Sequence, residues 1–222
     1  MRTIKSFVVR GGRISKRQQY ALDHWLKDYE LSLQEIPWNL EQIFGRQADT
    51  IVEIGFGMGA SLQAMAEEHP EFNFIGIEVH RAGVGSLTAG LHEKGIKNVR
   101  IILHDAVEVF KHCLPKETLA GVQIFFPDPW PKKRHHKRRL IQAEFIKLLI
   151  ASIKSGGFVH CATDWQEYAE HMLAVLSVEP ELRNMDEKGG FSPRPKTRPL
   201  TKFEQRGHKL GHGVWDLIFK KI

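Results

Sequence analysis

The sequence predicts an α/β fold built on a mostly parallel sheet, and three observations carry that prediction. From Thr50 onward, short apolar runs suited to strands alternate with longer windows suited to helices, the rhythm of strand–helix–strand crossovers. A glycine-rich turn, Gly55-Phe56-Gly57-Met58-Gly59, follows the first of those strands. Acidic residues then stand at the ends of successive strands, where open α/β sheets bind their ligands.

Strands are expected over residues 50–54, 72–78, 99–103, 122–126 and 158–162, with helices over 60–68, 81–94, 107–112, 138–154 and 165–176. Residues 1–47 differ in character. A basic arm with Gly11-Gly12 leads to Ser15, whose hydroxyl suits the N-cap of a helix reaching Leu26. Pro37 interrupts the chain, and residues 39–44 suit one more helical turn. After Ser177, Pro193, Pro195 and Pro199 punctuate a basic loop. Residues 212–219 then alternate as a closing antiparallel strand would, a common edge on a parallel sheet. The chain thus divides into an arm with its helix, 1–47, and a main domain, 48–222.

Composition narrows the function. With 222 residues and 42% hydrophobic content the chain can bury a core, which excludes bulk disorder. The net charge of +6 is concentrated in the N-terminal arm, in the run after Trp130 and between Arg194 and Lys209. Such clustering is the footprint of a polyanion partner or of a merely solvated face. The two cysteines, Cys113 and Cys161, lie in apolar contexts, and neither a signal peptide nor an apolar run of membrane length occurs. A reducing cytoplasm with free thiols is expected. The 12 histidines show no HExxH spacing and no paired CxxC accompanies them, so no metal site is expected.

The glycine turn reads ExGxGxG, with Glu53 ahead of Gly55 and Gly57. Glycines let the backbone turn tightly and approach a ligand. Alone, the pattern also suits any tight strand-to-helix turn. Glu53 sharpens it, because a carboxylate there repels a pyrophosphate and welcomes a cationic ligand such as S-adenosylmethionine. Glu78, at the end of the second strand, can accept both hydroxyls of a ribose, from this cofactor or from NAD alike. Asp105-Ala106 follow the third strand, where the acid either meets an adenine amine or caps the next helix. Together, the carboxylates at successive strand ends favour adenosylmethionine.

The most informative segment follows the fourth strand: Pro127-Asp128-Pro129-Trp130-Pro131-Lys132-Lys133-Arg134-His135-His136-Lys137-Arg138-Arg139. One carboxylate sits between prolines at a strand end, and the chain then turns strongly basic. With Glu53–Gly59, Glu78, Asp105, Ala162-Thr163-Asp164 and Thr201-Lys202-Phe203-Glu204, this segment resembles the bacterial tRNA (guanine-N7-)-methyltransferases over nearly all of residues 50–219; the N-terminal arm matches less closely. The resemblance implies a Rossmann-like class I methyltransferase fold, with a seven-stranded, mostly parallel sheet, helices on both faces and an antiparallel C-terminal edge strand. It implies S-adenosylmethionine as cofactor and, as target, N7 of guanosine 46 in the tRNA variable loop. Glu53, Gly55, Gly57, Glu78, Asp105, Ala106 and Asp128 would then hold the cofactor, with Asp128 also catalytic. Lys132, Asp164, Thr201, Lys202, Phe203 and Glu204 would bind the substrate, and tRNA is the implied partner, with a monomer favoured over a homodimer.

The residues carry their own alternatives. Trp130 either stacks on a flipped guanine or packs under its loop. Asp164 accepts from guanine or caps the following helix, and Thr201 with Glu204 also forms a Thr-x-x-Glu capping pattern. Lys133, Arg134, Lys137, Arg138 and Arg139 are read as phosphate contacts. A methyltransferase for exocyclic amines is disfavoured because the prolines flank Asp128 and are not adjacent. An oxidoreductase is disfavoured by Glu53, and a non-catalytic RNA-binding protein by the full set of cofactor carboxylates.

Overall fold

The protein was described through a computed structural model, which describes residues 4–8, 12–200, 204 and 213–222. Seven strands form one sheet: β1 (Thr50–Ile54), β2 (Asn73–Glu78), β3 (Val99–Leu103), β4 (Leu119–Phe125), β5 (Ile153–Thr163), β6 (Leu182–Asn184) and β7 (Trp215–Lys221). Their order is β3-β2-β1-β4-β5-β7-β6, parallel from β3 to β5 and antiparallel at β7 and β6. The order reverses between β1 and β4, which opens a crevice at their C-terminal ends. The closing strand is antiparallel as expected, with the short β6 outside it.

Helices cover both faces. They are α1 (Lys16–His24), α2 (Leu40–Phe44), α3 (Ala60–Glu68), α4 (Arg81–Lys94), α5 (Ala106–His112), α6 (Ala143–Ser152) and α7 (Gln166–Ser177). Strand alternation divides the core accordingly. Val52, Ile75, Ile77, Val122, Val159 and Leu217 pack against residues of α5, α6 and α7. Ile51, Phe74, Ile101 and Phe125 share the opposite face with Leu62 and Met65 of α3 and Val84 and Leu87 of α4.

Residues 15–44 join this core. Ser15 caps α1 in a reciprocal box with Gln18, and the Gln18 amide then reaches the carbonyl of Ala82 in α4 at 3.1 Å. Tyr29 and Trp38 are buried, and each bonds through its backbone to the main domain, at Ile101 and Cys113.

β4 starts three residues before its expected bound and β7 runs over Trp215–Lys221, where 212–219 was expected, but the largest departures lie at the two ends of α6. Residues 138–154 were expected to be one helix, yet residues 133–138 form a 3-10 turn and α6 starts only at Ala143. Long-range ties hold the intervening chain extended: Arg139 pairs with Glu167, and the Ile141 amide donates to the Tyr168 hydroxyl. At the other end β5 begins at Ile153, immediately after the helix, because Ile153 pairs with Leu119 and is fully buried.

Candidate functional site

The C-terminal ends of the parallel strands and the first turns of the following helices enclose a cleft. Its main part, a cavity of about 430 Å³, is lined by Ile54, Gly55, Glu78, His80, His104, Ala106, Phe126, Asp128 and Trp130. A second part of about 390 Å³ runs past Gly57, Met58 and residues 81–83, sharing Glu78, Val79 and His80 with the first. Ser6, Phe7 and Val8 of the N-terminal arm form the outer wall of the main cavity.

The glycine turn is shaped for a ligand. Gly55, Gly57 and Gly59 all adopt positive φ, at 74°, 57° and 82°. The start of α4 approaches so closely that a Cβ on Gly83 would lie 2.1 Å from the Gly57 carbonyl oxygen. Glu78 fixes the turn from below. Its Oε2 accepts the Gly57 amide at 2.8 Å, and its Oε1 accepts the amides of Val79 and His80 at 2.6 and 3.1 Å.

Glu53 is the anomaly. It is 2% exposed, and its Oε2 finds no hydrogen-bond donor among the described residues. Burial, helped by the nearby charge of Glu78, pushes its carboxyl up to about 8. Its cross-strand neighbour in register on β4 is Gln123, whose Oε1 is also a buried acceptor without a donor. Neither side chain lines the cavity, and both stand behind the glycine turn as buried oxygens without a donor among the described residues, a lack that an ammonium group would satisfy. An unmatched carboxyl beside a glycine turn fits a cofactor that carries a positive charge. Asp105 caps α5, accepting the Val107 amide at 3.1 Å, while its neighbours His104 and Ala106 line the cavity.

On the other wall, β4 ends in a contorted turn. Phe126 and Trp130 hold φ of 51° and 45°, unusual for bulky residues. They bracket Asp128, which is exposed and accepts one bond, from the Trp130 amide to Oδ1 at 3.2 Å. The Trp130 indole is held beneath the arm: Nε1 donates to the Ser6 carbonyl at 2.9 Å, and the Arg138 guanidinium lies 4.9 Å from its ring centroid. One part of the packing alternative is thus met, with the ring still on the cavity wall.

The basic run splits in two. Lys132, Lys133, Arg134 and Lys137 are exposed, and no partner engages their side chains among the described residues. Arg139, expected to contact phosphate, is 2% exposed and turned inward. It donates to the Pro129 carbonyl at 2.9 Å and to both Glu167 oxygens, and its guanidinium covers the Tyr168 ring. Its task is to hold the Asp128 turn against α7.

Asp164 does not cap α7. The N-cap residue is Trp165 and no side chain caps the helix; Thr163 Oγ1 accepts the Trp165 amide, and Asp164 has no partner among the described residues. Thr201, Lys202 and Phe203 lie outside the described residues. Glu204, expected on the substrate, is 1% exposed, and both its oxygens accept from Arg198. Sequence reasoning passed over Arg198, which no local signal separates from the other arginines of its loop. It also passed over the cavity wall formed by residues 6–8, and over Trp165, exposed beside Asp164.

Comparison with known proteins shows the family. A family model described as a putative methyltransferase matches residues 47–217. A tRNA (guanine-N(7)-)-methyltransferase of Legionella pneumophila strain Paris is 65% identical over 99% of this chain and 94% of the relative. The protein of the same description in Shewanella putrefaciens is 54% identical over 100% of this chain and 93% of the relative. The solved structure of the 16S rRNA methyltransferase KamB shares the fold alone, with a TM-score of 0.61 at 14% identity, covering 85% of this chain and 96% of that one. The chain belongs to the tRNA (guanine-N7-)-methyltransferase family, whose methyl donor is S-adenosylmethionine.

Proposed function

We propose that this protein methylates N7 of guanosine 46 in the tRNA variable loop, in the cytoplasm, with Asp128 as the residue that orients and electrostatically stabilises the reaction. One observation carries this reading: Asp128 is an exposed carboxylate on the wall of the cavity that Gly55 and Glu78 also line, and among the described residues Oδ1 takes a single backbone bond and Oδ2 none.

Guanine N7 bears an in-plane lone pair and no proton, so the attack requires no general base. The cofactor supplies a sulfonium methyl whose C–S electrons return to sulfur as the N–C bond forms. Positive charge then moves onto the purine, and the Asp128 carboxylate is placed to balance it. Positioning of two bound reactants can account for roughly 7–11 kcal/mol of barrier, so a cleft without acid–base machinery suffices. In this reading Asp164 accepts from the guanine edge, Lys132 holds a phosphate at the target nucleotide, and Thr201, Lys202 and Phe203 contact the substrate. Lys133, Arg134 and Lys137 follow the tRNA backbone.

The test is methyl transfer from labelled adenosylmethionine to unmodified tRNA, with nucleoside and position analysis of the product. Seven-methylguanosine at position 46 is expected. Asp128→Asn should lose most of its turnover at preserved cofactor affinity, and near-normal turnover in that variant would sink the electrostatic role.

A further inference from the structure

On the α3/α4 face of the sheet lies a cluster of buried charges that the mechanism above leaves unused. Arg198, from the basic loop, is 2% exposed. Its Nε and Nη2 donate to Oδ1 and Oδ2 of Asp216 at 2.8 and 2.9 Å. Its Nη1 and Nη2 donate to Oε2 and Oε1 of Glu204, both at 2.7 Å. Asp216 also bonds His160 Nε2 at 2.7 Å, and Arg194 Nε lies 3.3 Å from Glu204. Burial opposes ionisation of Asp216, yet the bonds from His160 and Arg198 keep its carboxyl below the usual range.

Stability alone is a poor reason for such a cluster. Taking ions out of water costs several kcal/mol each, and apolar side chains of the same volume often serve a core as well. The guanidinium does something an apolar side chain would not. It lies 5.9 and 5.7 Å from the ring centroids of Phe125 and Phe126, the two residues that lead into Pro127 and Asp128. Phe126 is one of the positive-φ residues, and such a conformation persists only where its surroundings hold it. One planar group thus grips Glu204 and braces the strand end that presents Asp128.

We infer that Arg198 is a positioning residue for methyl transfer, fixing the Asp128 turn against the buried Glu204 and Asp216 carboxylates. The inference rests on the role assigned above to Asp128. The fork matters as much as the charge, because a lysine ammonium cannot make two parallel bidentate pairs.

The experiment is a double-mutant cycle on the full chain between Arg198→Lys, which keeps the charge, and Asp128→Asn. Cofactor affinity is measured by calorimetry, and kcat and KM with tRNA. For Arg198→Lys, cofactor affinity should stay within about twofold, while kcat/KM for tRNA falls roughly 100-fold, the cost of about 1 Å of misplacement. In the double variant the loss should be much smaller than the product of the two single losses, since no carboxylate remains to be aimed. A merely structural role would give losses that multiply. Multiplying losses, or parental kcat/KM in Arg198→Lys beside an impaired Asp128→Asn, would overturn the inference and leave the Asp128 reading intact. Parental turnover in Asp128→Asn alone would overturn both. If Arg198→Lys fails to bind cofactor, Phe126→Leu enters the same cycle, removing the braced ring and keeping every ion pair.

Discussion

Replacing Glu53 by glutamine retains the shape of the side chain and removes only its ability to ionise. In the cofactor-free protein the parental carboxyl is displaced from 4.5 to about 8 by burial and by Glu78. Across that window the folded state holds a proton that the unfolded chain has released. The resulting stability is fully present below pH of about 4.5 and is lost as pH rises through about 8. At about 1.4 kcal/mol per pH unit, the window from 4.5 to about 8 amounts to at most ~5 kcal/mol. Glu53→Gln escapes this loss, so its stability relative to the parent should grow steadily with pH and level off above 8. Thermal unfolding of both proteins without cofactor, from pH 5 to 9, reads the difference.

Cofactor binding should reverse the preference. An ammonium group needs the ionised carboxylate, so below pH 8 the parent must release a proton on binding, and its affinity should improve about tenfold per pH unit. The trend ends where the ligand amine itself titrates, near 7.7–8.0. Calorimetry in buffers of different ionisation enthalpy at pH 6.5 should therefore detect about one proton released per cofactor. His80 and His104 also line the cavity, so the Glu53→Gln variant is the required reference. It should bind more weakly at pH 7.5 and lack this proton. The reasoning fails if the parent releases no proton, or if the variant keeps the parental pH slope.

Other consequences follow from the same geometry. Affinity for tRNA should fall with salt at a log–log slope of about −0.7 to −0.9 per phosphate contact, and alanine at Lys132, Lys133, Arg134 or Lys137 should each remove about one contact's worth. Arg139→Ala should leave that slope unchanged and instead destabilise the fold by about 1–3 kcal/mol, because it strands the half-buried Pro129 carbonyl; paired salt titrations and unfolding curves separate the two effects. Gly83→Ala would drive a Cβ to 2.1 Å from the Gly57 oxygen, so the turn must move. Overpacking of about 1–3 kcal/mol implies roughly a 10- to 100-fold rise in cofactor Kd, read by calorimetry.

What could be read from the sequence, and what could not, separates by the range of the forces involved. β1, α3, α4 and β3 have the bounds expected from periodicity and glycine punctuation, because each is decided within its own few residues. The sequence placed Ser15 as a cap and read Asp105 as either a cap or an adenine contact, by equally local chemistry, and both residues cap their helices. The failures begin where a partner lies far along the chain. Arg139 looks like its basic neighbours until Glu167, from α7, turns it inward. Glu204 reads as half of a capping box, a pattern its burial against Arg198 does not require.

The same range argument explains why the two halves of the site were not equally visible. The cofactor half is assembled from strand ends and the turns directly after them, so the motif order along the chain already contains its geometry. Glu53 was legible as an acid beside a glycine turn, but its lack of a donor was not. That depends on Gln123, 70 residues away in sequence and opposite it across β1 and β4. The substrate half depends wholly on such distant pairs. Arg198 acts only through Asp216 on β7, Glu204 in the loop and the phenylalanines closing β4. In a one-dimensional reading it is one more positive charge in a basic loop. Only the fold distinguishes it from the lysines and arginines that face solvent, by turning its guanidinium toward two carboxylates and away from any phosphate.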